Sequence, residues 1–229
     1  MIDFQSVVEA TFQKRVNRFV AEVTLLDGSL VQVHVANTGR MRELLVAGRR
    51  CLLHPASNPA RKTAWDLLAV DKDGQWVCLI AAWANDFVEQ WLKQGYIKEF
   101  DHCSRIQREK KIGHSRFDFA LEQDDCQWLV EVKSVNYVVE GHGLFPDAPT
   151  SRGRRHVEEL MELKKQGWQV GIFFVVMGQP VTDVSFNKVN DPKFAEVMTL
   201  ALADGVMVKA FSSRIVPPNV EFCGECPII

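Results

Sequence analysis

No stretch of 18 or more uncharged apolar residues occurs in this 229-residue chain, which excludes a membrane-spanning helix of ordinary length. The opening residues, MIDFQSVVEATF, carry Asp3 and Glu9 and no basic segment, so no secretory leader is expected. Six cysteines over this length form no disulfide framework. Free thiols fit a reducing compartment, and the expected location is the cytoplasm, with no membrane partner. The histidines show neither HxH nor HExxH spacing, which removes the common zinc-hydrolase signature. Cys223 and Cys226 have the spacing of half a metal site, but nothing in the sequence brings Cys103 or Cys126 near them. A formal charge of -2 gives the whole molecule no pull on polyanions, so any nucleic-acid surface must be local.

What is present centres on residues 115–136, SRFDFALEQDDCQWLVEVKSVN. Phe117, Phe119 and Leu121 alternate with Asp118 and Ala120, and Trp128, Val130 and Val132 alternate with Leu129, Glu131 and Lys133. This period of two predicts a hairpin, its polar loop spanning 122–127. That pairing sets Asp118 opposite Glu131 and puts Lys133 on the same face. Two carboxylates suit a hard divalent cation held against a phosphate oxygen, and a nearby lysine suits orienting water or offsetting transition-state charge. The same three residues also fit a solvated strand face with cross-strand ion pairs.

Ahead of this hairpin, strands are expected over 19–26, 30–35, 51–54, 65–70 and 76–80, with a short helix over 40–46 capped by Thr38. Five strands and one small helix suggest an OB-type five-stranded barrel over residues 1–81, with part of a larger mixed sheet as the alternative. Residues 14–62 hold nine Lys and Arg against three acids, which favours a phosphate-facing side there, Arg15, Arg18, Arg40 and Arg42 included. The texture changes near Ala81. Residues 82–229 read as an α/β domain with a mixed sheet: a helix over 85–94, the hairpin, a loop over 139–154, a helix over 155–166, a buried strand over 170–177, a loop over 179–190, a helix over 192–204 and a strand over 206–211. Glu89 either pairs with Lys93 or points toward Asp118 and Glu131. Arg105, Arg108, Lys110, Lys111 and Arg116 form a basic strand leading into the acidic pair. Arg152, Arg154, Arg155 and His156 gather at a helix start, where cations oppose the dipole unless an anion lies between them, and His142 is expected on the same phosphate path.

The motifs Asn37-Thr38-Gly39-Arg40-Met41, Ser115-Arg116-Phe117-Asp118-Phe119, Val130-Glu131-Val132-Lys133 and Phe145-Pro146-Asp147-Ala148, with Thr150, Arg152-Gly153 and His156, resemble those of the sugar fermentation stimulation protein A family of bacteria and archaea. The resemblance implies an N-terminal oligonucleotide-binding barrel and a C-terminal domain of restriction-endonuclease-like fold. It further implies DNA binding, RNA being the alternative, and a regulatory link to maltose use. Laid on this sequence, the nuclease pattern gives Glu89, Asp118, Glu131 and Lys133 as catalytic, with Asp118 and Glu131 as ligands for Mg²⁺ or Mn²⁺ and no organic cofactor. The expected function is a largely backbone-directed DNA-binding protein with a nuclease-type acidic site. The alternatives are a Mg²⁺-dependent phosphodiesterase or a protein-interaction module, and a homodimer is compatible with each.

Overall fold

The computed structural model describes residues 6–229 apart from 38, 57 and 59. Five strands build the first unit: β1 (Val8–Arg15), β2 (Val20–Leu25), β3 (Leu30–His34), β4 (Arg50–Pro55) and β5 (Trp65–Lys72). Alternation sends Ala10, Phe12, Ala21, Val23, Val33, Leu53 and Leu67 into one interior. β1 pairs with β2 and β4, β2 with β3, and β4 with β5. β3 then meets β5 in parallel at His34↔Asp66, which closes the barrel and leaves no open edge. An ionic cluster sits at this seam: Asp66 Oδ1 lies 3.0 Å from His34 Nδ1 and 2.9 Å from Arg61 Nη2.

Two expectations for this unit change. The barrel includes β1, a strand outside the five expected, and not residues 76–80. There β6 (Gln75–Cys78) instead turns back along β5 and bridges outward through Trp76↔Ile215. Residues 40–46 form no helix. Met41 takes φ 44°, a left-handed value that stops helical continuation, and one turn closes through Leu45 N donating to Met41 O at 2.8 Å. Thr38, expected to cap that helix, lies outside the described residues.

The second unit runs α1 (Trp83–Lys93), β7 (Arg105–Ile112), β8 (Ser115–Gln123), β9 (Cys126–Val135), β10 (Tyr137–Val139), β11 (His142–Phe145), α2 (Ser151–Lys165), β12 (Gln169–Val176), β13 (Asp183–Phe186), α3 (Pro192–Ala203), β14 (Met207–Val216) and β15 (Asn219–Cys226). The sheet order is β3-β2-β1-β4-β5-β6-β14-β12-β9-β8-β7, with β15 beside β14 and β10-β11-β13 as a separate small sheet. The apolar run of β12 lies between β9 and β14, parallel to both and buried on both faces, as its composition demands. On one face α1 buries Phe87, Val88 and Trp91 against Phe119, Val130, Phe173 and Phe211. On the other, α2 and α3 bury Val157, Leu160, Phe194 and Met198 against Leu129, Ile172 and Phe174. Each large side chain so buried contributes roughly 1.5–3 kcal/mol. Leu52, Leu68 and Ala69 of the barrel belong to the α1 core, so the two units share packing and no flexible linker separates them near Ala81.

Several elements exceed their expected bounds. The central hairpin turns in two residues, Asp124 and Asp125, with φ 49° and 63°, the positive pair of a primed two-residue turn. The expected loop at 139–154 is mostly structured: β11 occupies part of it, and α2 begins at Ser151. Thr150 caps that helix by accepting from Gly153 N at 3.0 Å. A Cβ on Gly153 would meet Thr150 Cγ2 at 2.7 Å, so this cap requires the glycine. β13 likewise falls inside the expected loop at 179–190.

Candidate metal and nucleic-acid site

The β8–β9 register pairs Phe119 with Val130 and Leu121 with Trp128, which carries Asp118 to the level of Glu131. The ladder changes character there. Asp118 Oδ2 accepts from the Val132 backbone N at 2.8 Å, so a carboxylate stands where a strand carbonyl would, and Oδ1 accepts from Asn85 Nδ2 of α1 at 2.7 Å. Burial, then the Glu131 charge, pushes the Asp118 carboxyl up to about 6.

Glu131 is 4% exposed. Its Oε1 accepts from Lys133 Nζ and from His156 Nδ1, both at 2.5 Å. Burial alone would raise its pKa, but the His156 hydrogen bond and the Lys133 charge outweigh it and hold Glu131 below the usual carboxylate range. Its second oxygen, Oε2, is buried with no hydrogen-bond partner. A buried ionised oxygen left bare costs several kcal/mol unless a cation or water faces it. The donor chemistry therefore fits a hard divalent ion at Asp118 and Glu131, although no preformed group of three His, Cys, Asp or Glu side chains is gathered for one among the described residues.

The structure brings Asp118, Glu131 and Lys133 together and leaves Glu89 out. Glu89 Oε1 accepts from Lys93 Nζ at 2.6 Å, and Oε2 from Arg108 Nη1 at 3.0 Å. From α1 it is Asn85, one turn earlier on the same face, that reaches Asp118. His156, expected among the phosphate-binding cations, is 6% exposed and belongs to the carboxylate cluster. Arg152 Nε approaches its Nε2 at 3.5 Å, which fits a ring that carries its proton on Nδ1. The sequence held a signal for this: His156 lies on the apolar stripe of α2 with Gly153, Val157, Leu160 and Leu163, and a histidine there needs a buried partner.

Among the other cations expected to contact phosphate, three have intramolecular tasks. Arg15 donates to the carbonyls of Gly39 and Asn37 at 2.5 and 2.8 Å and to that of Arg18 at 2.6 Å, tying down the turn after β3. Arg108 bridges Asp86 and Glu89. Arg154 pairs with buried Asp191, the cap of α3. Arg105 pairs with Glu122, Arg116 with Glu109 and Arg155 with Glu159 near the surface. Arg18, Arg40, Arg42 and Arg152 are exposed, as is Lys111, and Lys110 is half-buried on edge strand β7. His142 is held apart from the acidic cluster, with Nδ1 2.9 Å from Asp183. Cys223 and Cys226 are free thiols, as are the other four cysteines.

A closed five-strand barrel packed against a mixed sheet, with an Asp on one central strand and Glu-x-Lys on the next, defines the class: an oligonucleotide-binding domain fused to a restriction-endonuclease-like domain. Two family models match accordingly, the SfsA N-terminal OB domain over residues 14–79 and the sugar fermentation stimulation protein RE domain over residues 82–219. The chain belongs to the sugar fermentation stimulation protein family. It is 39% identical over 228 residues to a homolog from Clostridium perfringens, covering 99% of each chain. It is 42% identical over 223 residues to one from Alkaliphilus metalliredigens, covering 96% of each. The structure of Pyrococcus furiosus SfsA in complex with Ca²⁺ superposes with a TM-score of 0.91 at 28% identity, over 99% of this chain and 97% of that one.

Proposed function

We propose that this protein binds nucleic acid, DNA foremost, and carries a divalent-metal site of phosphodiester-cleaving type in its second half. The observation that carries the reading is the buried, partnerless Oε2 of Glu131 beside the raised Asp118 carboxyl. Asp118 and Glu131 would hold the ion, and the Ca²⁺ named with the Pyrococcus furiosus relative supports a divalent cation here, Mg²⁺ or Mn²⁺ being the working choice. Such an ion, when bound, supplies Lewis-acid stabilisation of charge on a phosphate oxygen and acidifies water. Asn85 and the Val132 amide fix the Asp118 oxygens. Lys133 and His156 fix Glu131 Oε1, which leaves Oε2 to face a cation. Lys133, whose side chain is 12% exposed, would orient the attacking water or offset charge at the reacting phosphate. Arg152 at the mouth and the cations of β7 would receive the strand backbone. Any regulatory link to maltose use would act through this binding.

One observation favours a second reading, binding without cleavage: the α1 acid Glu89 is turned onto Lys93 and Arg108, away from the cluster. Incubation of end-labelled single- and double-stranded DNA and RNA with Mn²⁺, Mg²⁺ or EDTA separates the two. Cleavage that needs the metal and falls at least roughly a hundredfold in Glu131→Gln and Lys133→Ala supports the nuclease. Metal-dependent binding without products supports the second reading. Neither binding nor cleavage overturns both.

A further inference from the structure

A cleft of about 100 Å³ lies where the barrel meets the second unit. Asn37 and Glu43 line it from the barrel, and Ser134, Asn136, Tyr137 and Asp147 from the second unit. It adjoins the carboxylate site along two elements. Ser134 follows Lys133 on β9, and Ala81, also in its wall, lies in the turn that leads into α1, whose Asn85 holds Asp118.

The lining selects among ligands. Among the described residues that form it, none is Lys or Arg, so it does not suit a phosphate. Acceptors dominate instead: the carboxylates of Glu43 and Asp147, the hydroxyls of Ser134 and Tyr137, and the Asn136 Oδ1, whose Nδ2 is already engaged by Cys78 O at 2.8 Å. Asn37 accepts from Gly39 N at 2.8 Å, which leaves its amide hydrogens as donors. Closely set acceptors beside the rings of Tyr137 and Phe145 match the edge of an amino-bearing nucleobase, guanine foremost with its N1–H and amino group, and cytosine or adenine through the amino group alone. A base paired within a duplex cannot enter such a cleft, whereas an unstacked one can. Gly39 preserves the space: a Cβ there would come within 2.7 Å of Asp147 Oδ2.

We propose that this cleft holds one unpaired, amino-bearing base of the substrate strand next to the carboxylate site, so that the protein prefers single-stranded nucleic acid. This rests on the nucleic-acid reading above but not on the metal. The test is therefore run in EDTA, with deoxy- and ribo-oligonucleotides carrying 2-aminopurine, single-stranded and as duplexes, against wild type, Tyr137→Leu and Asp147→Asn. Wild type is expected to bind single strands roughly tenfold tighter than duplex and to quench the probe. Each variant should lose most of that preference while its duplex affinity stays within about twofold, and Tyr137→Leu should also lose the quench. Should Tyr137→Leu melt early, Asp147→Asn alone decides. Variants that retain the wild-type preference, or a wild type without one, overturn the cleft assignment. Absence of binding to either form overturns the nucleic-acid reading and the cleft with it. Deoxy against ribo affinity shows which strand is taken.

Discussion

Replacing Asp118 with Asn should stabilise the metal-free protein at alkaline pH. Burial and the Glu131 charge raise the Asp118 carboxyl from 3.8 to about 6, equivalent to about 3 kcal/mol. The sign follows from proton counting. Between pH 4 and 6 the folded chain keeps a proton that the unfolded chain has released, so stability falls as pH rises through that window and stays lowered above it. An asparagine carries no charge and escapes this loss. It has one acceptor oxygen for the two donors that now reach Asp118, Val132 N and Asn85 Nδ2. The Asn85 amide must turn over to compensate, at a cost of about 1 kcal/mol. The net gain at pH 8 is about 2 kcal/mol, or roughly 4–8 °C in melting temperature for a chain of this size. Thermal melts in EDTA at pH 4 and pH 8 measure it, with the gain present at pH 8 and absent at pH 4. Millimolar Mn²⁺ should raise the wild-type melting temperature and leave the variant unmoved. A variant that melts at or below wild type at pH 8 would refute the argument that burial and the Glu131 charge destabilise an ionised Asp118.

Three further outcomes are expected. Arg154→Ala should cost about 2–4 kcal/mol in denaturant unfolding, because it strands the buried Asp191 carboxylate, whereas Arg155→Ala at the surface should stay within about 0.5 kcal/mol. Log affinity for duplex DNA should fall with log salt by about 0.9 per phosphate neutralised, and Lys110→Ala with Lys111→Ala should flatten that slope by about 1–2; a flat wild-type slope would remove the backbone-directed reading. His156→Ala should weaken Mn²⁺ binding, read by calorimetry, by roughly 10–100-fold through loss of the group that fixes Glu131; unchanged affinity would show that His156 serves packing alone.

The acidic strand pair was legible because period-two alternation and a polar turn fix which residues share a face. Asp118 stands at the level of Glu131 even though the turn is two residues and not six, since shortening it symmetrically preserves the register. The barrel was legible as a kind of fold but not strand by strand. β1 ends in Lys14 and Arg15, which hid its alternation, and the strand expected at 76–80 became the bridge into the large sheet. What the sequence could not supply were choices made by tertiary packing. Asn85 and Glu89 lie four residues apart on one helix face, and only the docking of α1 decides which meets Asp118. His156 is 25 residues from Glu131, and only the docking of α2 on the sheet brings the two together. Likewise, the arginines counted as a phosphate surface could not be sorted from sequence into Arg15, Arg108 and Arg154, held by carbonyls and carboxylates, and Arg18, Arg40, Arg42 and Arg152, which face solvent.

The most direct measurement is titration calorimetry of Mn²⁺ into wild type and into the double variant Asp118→Asn with Glu131→Gln, at pH 8 and without nucleic acid. Wild type is expected to bind one ion per chain, and a repeat at pH 6, where the raised Asp118 carboxyl still holds part of its proton, is expected to add proton release on binding. The double variant is expected to show no such isotherm while melting at or above the temperature of the metal-free wild type. Equal binding by both proteins would contradict the metal site at Asp118 and Glu131 and leave those acids as a partly buried strand pair.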